Sequence, residues 1–290
     1  MLQAEAADCS AKKASRMRVI YIAGTSHSGS TLLDLMLNAH PEIFAGGEML
    51  KLNRQLQVKN TRRGTYAPCA CGAPSLWQCA FWSAVDGRTR ETVGRSLADL
   101  DVLDQSELDP ARAPNAVVFK AMSEISGKNF VVDSSKLPKR LSYLMRFKEL
   151  DIYPVHIIRD PRGQIHSVRR KHGGFLQHIF RYELIHAQVS RMLKSIPHSV
   201  VRYEDLVRDP ATTLRGVLEP LGLSFDPRQL AWAEAVKHEV AGNHMRFDAS
   251  SELVLDETWK RGLTPAQQRA IEFGTLLSRR TLPKTGPASA

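Results

Sequence analysis

No stretch of this chain approaches the roughly 18 consecutive apolar residues that a membrane-spanning helix requires. Blocks of like charge are absent too. The 40 Lys and Arg are interspersed with 30 Asp and Glu, leaving a net charge of +10. That pattern argues against a basic nucleic-acid-binding arm, while the positive balance favours anionic ligands if it reflects more than general solubility. Residues 1–16 are Ala-rich and polar and lack the apolar centre of a secretory signal, so they read as a flexible tail on a cytoplasmic protein. Cysteine is scarce, with four in 290 residues. Cys9 lies in the tail, and Cys69, Cys71 and Cys79 cluster as Cys-Ala-Cys-Gly, six residues, Cys. A structural zinc site takes four ligands, and this spacing offers three. His40 or Cys9 supplies a fourth only through the fold, so zinc, a disulfide and buried reduced thiols all stand open.

What is present is an ordinary globular composition, 43% hydrophobic and 24% charged, at a length of 290 residues that suits one large α/β domain. The domain is expected over residues 17–280, with an irregular insertion at about 53–90 and a second flexible tail at 281–290. Met17–Ala23 is a β-branched apolar run that reads as a buried strand. Ser30–Ala39 reads as a helix that starts on hydroxyl residues and stops before Pro41. Further strands are expected at Asn129–Val132, Tyr153–Ile158 and Ser199–Arg202. Helices are expected at Leu97–Leu108, Leu141–Leu150, 161–171, 180–195, 210–221, 227–240 and 264–279. Strands alternating with helices imply a central parallel sheet with helices on both faces, a three-layer P-loop NTPase-like fold. Ligands of such sheets sit at the strands' carboxyl ends. Each polar cluster of this chain follows a strand.

The first such cluster is Gly24, four residues, then Gly29-Ser30-Thr31. Strand, glycine-rich loop and helix at this spacing match a phosphate-binding loop, with a plain helix N-cap made by Ser28 or Ser30 as the alternative. Glycines let the backbone approach an anion, and the helix N-terminus favours negative charge. A triphosphate-binding loop carries Lys where this chain has Ser30, so an anion less charged than a nucleoside triphosphate with Mg²⁺ is favoured.

The residues Ser26-His27-Ser28-Gly29-Ser30-Thr31 after a strand resemble the 5′-phosphosulfate loop of sulfotransferases that use 3′-phosphoadenosine-5′-phosphosulfate (PAPS). Arg159-Asp160-Pro161-Arg162, with Ser167 eight positions after Arg159, is similar to that family's 3′-phosphate site. Tyr203, in Val-Arg-Tyr-Glu-Asp-Leu, resembles the Tyr near the adenine. Gly242-Asn243-His244-Met245-Arg246-Phe247, with Asp256 and Trp259-Lys260, resembles the segment that closes over the cofactor. The resemblance spans roughly residues 18–265.

It implies metal-free, in-line sulfuryl transfer from PAPS to an acceptor hydroxyl. Ser26, His27, Ser28, Gly29, Ser30, Thr31, Arg159, Ser167, Tyr203 and Arg246 would bind the cofactor. His27 stands where many relatives carry Lys or Arg, and an anionic neighbour would favour its charged form. Glu48 matches a catalytic Glu of tyrosylprotein sulfotransferases and is the candidate base. Lys136, in Ser-Ser-Lys-Leu-Pro, resembles the position of a catalytic His in cytosolic members and suits charge stabilisation. Ser134 and Ser135 are candidates to bond the sulfuryl oxygens, and Asp133 to orient Lys136. His156 reads as a core residue, as do Trp77, Phe81 and Trp82. His166, His172 and His178 are candidates to face the acceptor. A small-molecule, carbohydrate or peptide acceptor is implied, bound by loops at 49–90 and 172–190. A P-loop small-metabolite kinase and a non-catalytic nucleotide- or RNA-binding module are the competing readings.

Overall fold

The computed structural model describes residues 16–57, 67–100 and 114–282. The two expected tails, except for the end residues Arg16, Thr281 and Leu282, lie outside them. Five parallel strands form one sheet in the order β2-β3-β1-β4-β5. They are β1 Met17–Gly24, β2 Ile43–Ala45, β3 Phe130–Lys136, β4 Leu150–Ile158 and β5 Ser199–Arg202. Central β1 pairs with β3 along one edge and with β4 along the other. A parallel strand covered on both faces reads as a continuous apolar run, as β1 does. Its side chains alternate. Val19, Tyr21 and Ala23 enter one core, while Ile20 and Ile22 enter the other.

The helices are α1 Ser30–Asn38, α2 Leu52–Gln57, α3 Ala80–Val93, α4 Pro114–Ser126, α5 Pro138–Leu144 and α6 Pro161–His172, then α7 Leu176–Leu193, α8 Tyr203–Arg208, α9 Pro210–Leu218, α10 Trp259–Gly262, α11 Pro265–Gly274 and α12 Leu276–Thr281. Helices α1, α8 and α9 pack with Trp232 on the Ile20/Ile22 face. Helices α3, α4, α5 and α7 cover the opposite face. The result is the expected three layers.

Several boundaries differ from the sequence reading, each for a local reason. Strand β2 has three residues, too few to show a period, and α8 follows β5 without a connecting loop. Helix α4 carries Val117, Val118 and Phe119 in series, which masks its helical spacing. The segment expected to be helical at 141–150 starts earlier, with Pro138 in its first turn, and ends at Leu144 before β4 begins at Leu150. The expected helix at 227–240 is instead a 3₁₀ segment, Pro227–Glu234, followed by extended chain. Tertiary pairing decides this: Val240 bridges Gly47, its amide donates to Gly46 O at 2.8 Å, and Glu48 N donates to Val240 O at 2.7 Å. The expected helix at 97–108 shows a 3₁₀ turn at Leu97–Asp99, and its remainder beyond Leu100 lies outside the described residues. Within the insertion, 67–79 is irregular, whereas α2 and most of α3 are regular.

A buried ion pair joins three of these elements. Arg140 Nε of α5 donates to Asp133 Oδ2 of β3 at 2.7 Å, and Arg140 Nη2 donates to Asn115 Oδ1 of α4 at 3.0 Å. Both side chains of the pair are at most 1% exposed. Removing one partner of such a pair leaves the other charge buried and uncompensated. Arg140→Met should therefore cost roughly 3–5 kcal/mol of folding stability in a urea titration. A change within 1 kcal/mol would show the pair to be neutral.

Candidate active site

The loop after β1 is built under tight steric limits. A Cβ on Gly24 would lie 2.4 Å from Ile157 O, and one on Gly29 would lie 2.5 Å from the Tyr203 ring. Gly29 opens α1 at φ +89°, and His27 also sits at positive φ, +64°, a conformation that costs energy for a residue with a side chain. Ser28 is buried, and its hydroxyl donates to Thr25 O at 2.7 Å, closing the loop rather than capping the helix. Two loop carbonyls are held by side chains at the start of α6. Gln164 Nε2 donates to Ser26 O at 2.7 Å and Arg159 Nη1 donates to His27 O at 3.1 Å. With these carbonyls engaged, the amides of the loop and of the first turn of α1 are the groups left to meet an anion.

A cleft of about 480 Å³ opens over this loop at the carboxyl ends of the strands. Ten of the twelve residues singled out in the sequence line it: Ser26, His27, Gly29, Ser30, Thr31, Glu48, Lys136, Arg159, Ser167 and Tyr203. The other two do not. Ser28 turns inward, and Arg246 is buried at 7% exposure, where Glu239 is the opposite charge that acts on it most. Met245 and Asn243 line the cleft from that segment, and the Asn243 amide donates to Thr31 Oγ1 at 3.2 Å.

Arg159 occupies the centre of the wall. Its Nη2 pairs with Asp256 Oδ2 at 2.9 Å, and its guanidinium lies 4.4 Å from the centre of the Tyr203 ring. The Tyr203 hydroxyl accepts from Asp256 N at 3.2 Å. Asp256 stays ionised: burial alone would raise it, but Thr258 and Arg159 together bring it down to about 2. Ser167 Oγ lies 2.9 Å from His27 Nδ1.

His27 is lowered to about 4, first by burial and then by the positive charges of Lys171, His172, Arg159 and Lys136. The protein's own groups therefore disfavour the charged form of His27, opposing the effect expected of an anionic neighbour. Fixed charge comes from lysines outside the loop.

Glu48 pairs with Lys136 at 2.9 Å and with Lys51 at 2.6 Å. Burial alone would raise its carboxyl, yet the two lysines outweigh burial and hold it below the usual range. Lys136 Nζ also donates to Ser134 O at 2.9 Å. Asp133 does not orient it; that carboxylate serves Arg140 and Ser135. Nor do Ser134 and Ser135 line the cleft. Ser134 bonds Asp34, and Ser135 Oγ accepts from Leu50 N at 2.9 Å.

His156 is a core residue, with Nε2 2.8 Å from His186 Nδ1. His172 lines the cleft, and a neighbouring cavity of about 490 Å³ shares it and Ser26 while adding His178. Trp82 is buried, and Phe81 stacks on Phe44, so the aromatic group is local core. Lys51, Gln164 and Lys171 escaped the sequence reading. Gln164 and Lys171 lie three residues before and four after Ser167, a helical spacing that puts them on its face of α6. Lys51 had only its separation of three from Glu48 as a signal.

A parallel α/β sheet with a cleft over a glycine-spaced loop at its carboxyl ends defines the class. The sequence profile of the sulfotransferase family matches residues 19–227. The chain belongs to that family and is a transferase. Solved structures agree on the fold. The sulfotransferase domain of the Synechococcus PCC 7002 olefin synthase superposes with a TM-score of 0.55 at 16% identity, covering 94% of this chain and 97% of that one. The sulfotransferase domain from the curacin biosynthetic pathway gives 0.54 at 18% identity, covering 89% and 98%. No helix among the described residues is long and apolar enough to cross a membrane.

Because Glu48 is depressed in the folded state, its contribution to stability is present above the ordinary carboxylate range. It is lost as pH falls through the lowered folded value. Lys136→Met should move the Glu48 titration upward, read by carboxyl NMR. An unmoved midpoint would assign the depression to Lys51.

Proposed function

We propose that this sulfotransferase moves a sulfuryl group from PAPS to the hydroxyl of a carbohydrate or natural product. The observation that carries the reading is the source of positive charge in the cleft. The loop lacks the Lys of a triphosphate-binding loop, yet Lys136 from β3, Lys171 from α6, Arg159 and Lys51 converge beside it. These four cations face two carboxylates, Glu48 and Asp256. Such a balance suits a doubly phosphorylated nucleotide better than a neutral ligand.

The residues fit the donor. The loop amides and α1 suit the 5′-phosphosulfate. Arg159 and Ser167, on the wall beside His27, suit the 3′-phosphate. When bound, PAPS supplies the activated sulfuryl group and a phosphate leaving group. Glu48, held ionised by Lys136 and Lys51, accepts the acceptor's hydroxyl proton. Lys136 lies within reach of that carboxylate and lines the same cleft as the loop, so it stabilises charge developing on the leaving oxygen. As Lys136 turns toward that charge, its hold on Glu48 weakens and the carboxylate becomes a stronger base. His27 Nδ1, 2.9 Å from Ser167 Oγ, positions that hydroxyl.

The neighbouring cavity is lined by Thr25, Ser26, Gln164, His172, Gln177, His178 and Arg181 among others. Its polar wall draws on the segment expected to carry the acceptor and favours a hydroxyl-rich molecule. Both solved relatives named above are domains from biosynthetic systems, which supports a natural-product acceptor.

Thermal stabilisation separates this reading from a kinase and from an RNA-binding module. 3′-Phosphoadenosine-5′-phosphate should raise the melting temperature, and ADP with Mg²⁺ or RNA should not. Stabilisation by ADP with Mg²⁺ alone would overturn the proposal. Arg159→Ala should weaken binding of the bisphosphate by about 2 kcal/mol or more, measured by calorimetry, because a charge-assisted contact is lost. Glu48→Gln should lower turnover of labelled sulfate while leaving that affinity unchanged; normal turnover would pass the base role to another residue.

A further inference from the structure

The cysteine cluster gains its fourth partner from the far end of the fold. It is neither of the two considered in the sequence. His40 is engaged elsewhere, with Nε2 2.9 Å from Ser224 O, and Cys9 lies outside the described residues. Instead His238, on the extended chain before Val240, turns its Nδ1 into the cluster. That nitrogen lies 3.2 Å from Cys79 Sγ and 3.8 Å from Cys69 Sγ, while Cys71 Sγ and Cys79 Sγ are 3.6 Å apart. All four ligand atoms fall within 4.8 Å of one another. A zinc ion bound at Zn–S of about 2.3 Å and Zn–N of about 2.0–2.1 Å spaces its ligand atoms roughly 3.5–3.8 Å apart. The observed separations bracket that tetrahedron.

We propose that Cys69, Cys71, Cys79 and His238 form a structural Cys₃His zinc site. Three independent features support it. First, the three thiols are free cysteines rather than disulfide-bonded. Second, the local backbone is shaped around the sulfurs. Cys69 N donates to Ala73 O at 2.9 Å, Gly72 N donates to Cys69 O at 3.0 Å, and Gly72 takes φ +92° to make the turn. Cys79 N donates to Leu76 O at 3.2 Å, and Ser83 N in the first turn of α3 donates to Cys79 O at 2.9 Å. These backbone bonds fix the main chain on either side of the sulfurs, so the ligands are held before any ion arrives. Third, the imidazole is held in place. Phe81 stacks on it with ring centres 4.8 Å apart, and Trp82 Nε1 donates to His238 O at 2.8 Å. Soft thiolates with one imidazole in a closed tetrahedral set select zinc among common metals.

The site has a structural purpose. Residues 67–79 form no helix or strand, so no ladder of hydrogen bonds anchors them. Zinc would fasten this segment to His238. Two residues later, Val240 pairs with Gly46, Gly47 and Glu48. The ion therefore clamps the extended strap against the backbone that carries Glu48. This inference does not depend on the donor or the acceptor.

The test uses the full chain, purified under reducing conditions without added metal. Elemental analysis should find one zinc per chain, and Cys71→Ser and His238→Ala should each weaken zinc retention at least roughly tenfold against a chromophoric chelator. Wild-type protein stripped of zinc and titrated with Co²⁺ should show thiolate-to-cobalt charge transfer and the visible bands of a tetrahedral site. If stripping unfolds the chain, refolding on addition of Zn²⁺ supports the proposal equally. A folded, metal-free chain that gives no thiolate–cobalt band overturns it, as does a Cys71–Cys79 disulfide found by mass spectrometry in the purified protein.

Discussion

One guanidinium ties the site together. Arg159 leaves the end of β4, donates to the carbonyl of His27 in the loop, pairs with Asp256 of the C-terminal strap, and stacks on Tyr203 at the end of β5. The Tyr203 ring in turn lies so close over Gly29 that no side chain fits there. The Tyr182 hydroxyl of α7 donates to the Arg159 carbonyl at 2.8 Å and fixes the residue from behind. Loop, two strand ends and strap are thus held at one point. The loop's left-handed residues persist because these neighbours over-determine them.

The same arrangement settles how the cleft is charged. A P-loop of the triphosphate kind carries its cation within the loop. Here Ser30 stands at that position, and His27, the loop's one titratable group, has its charged form disfavoured by burial and by the cations around it. The charge is delivered from other elements: Lys136 at the end of β3, where a positive φ of +71° turns the chain, and Lys171 in the last turn of α6. Glu48 shares Lys136 with the cleft, so the carboxylate and the loop answer to a common cation. A partly buried carboxylate and the glycine-spaced loop are in this way linked through one side chain.

Much of this was legible along the chain because it depends on local patterns. The β1 run, the glycine spacing, and Arg159 with Ser167 across one strand–helix turn are all short-range signals. Ten of the twelve proposed site residues converge for that reason. The positions that lie away from the cleft share a different cause. Arg246 sits in a 3₁₀ turn, and it is Met245 and Asn243, not the arginine, that line the cleft from there. Ser134 and Ser135 look equivalent to ligand-binding hydroxyls, yet buried Asp34 and Asp133 claim them. The segment around 235–240 has helical composition but is drawn out straight by pairing with Gly46 and Gly47.

The amino-acid sequence by itself determined the parallel α/β class, the glycine-spaced loop that now lines the cleft and the family, because alternation, glycine spacing and strand-end motifs act over a few residues. Only the tertiary structure decided which cations line the cleft, how burial and those cations act on His27, and which residue joins the cysteine cluster. Those outcomes rest on burial and on contacts between residues such as Cys79 and His238, 159 positions apart. No local pattern encodes an electrostatic field or a fourth ligand that arrives from the other end of the domain.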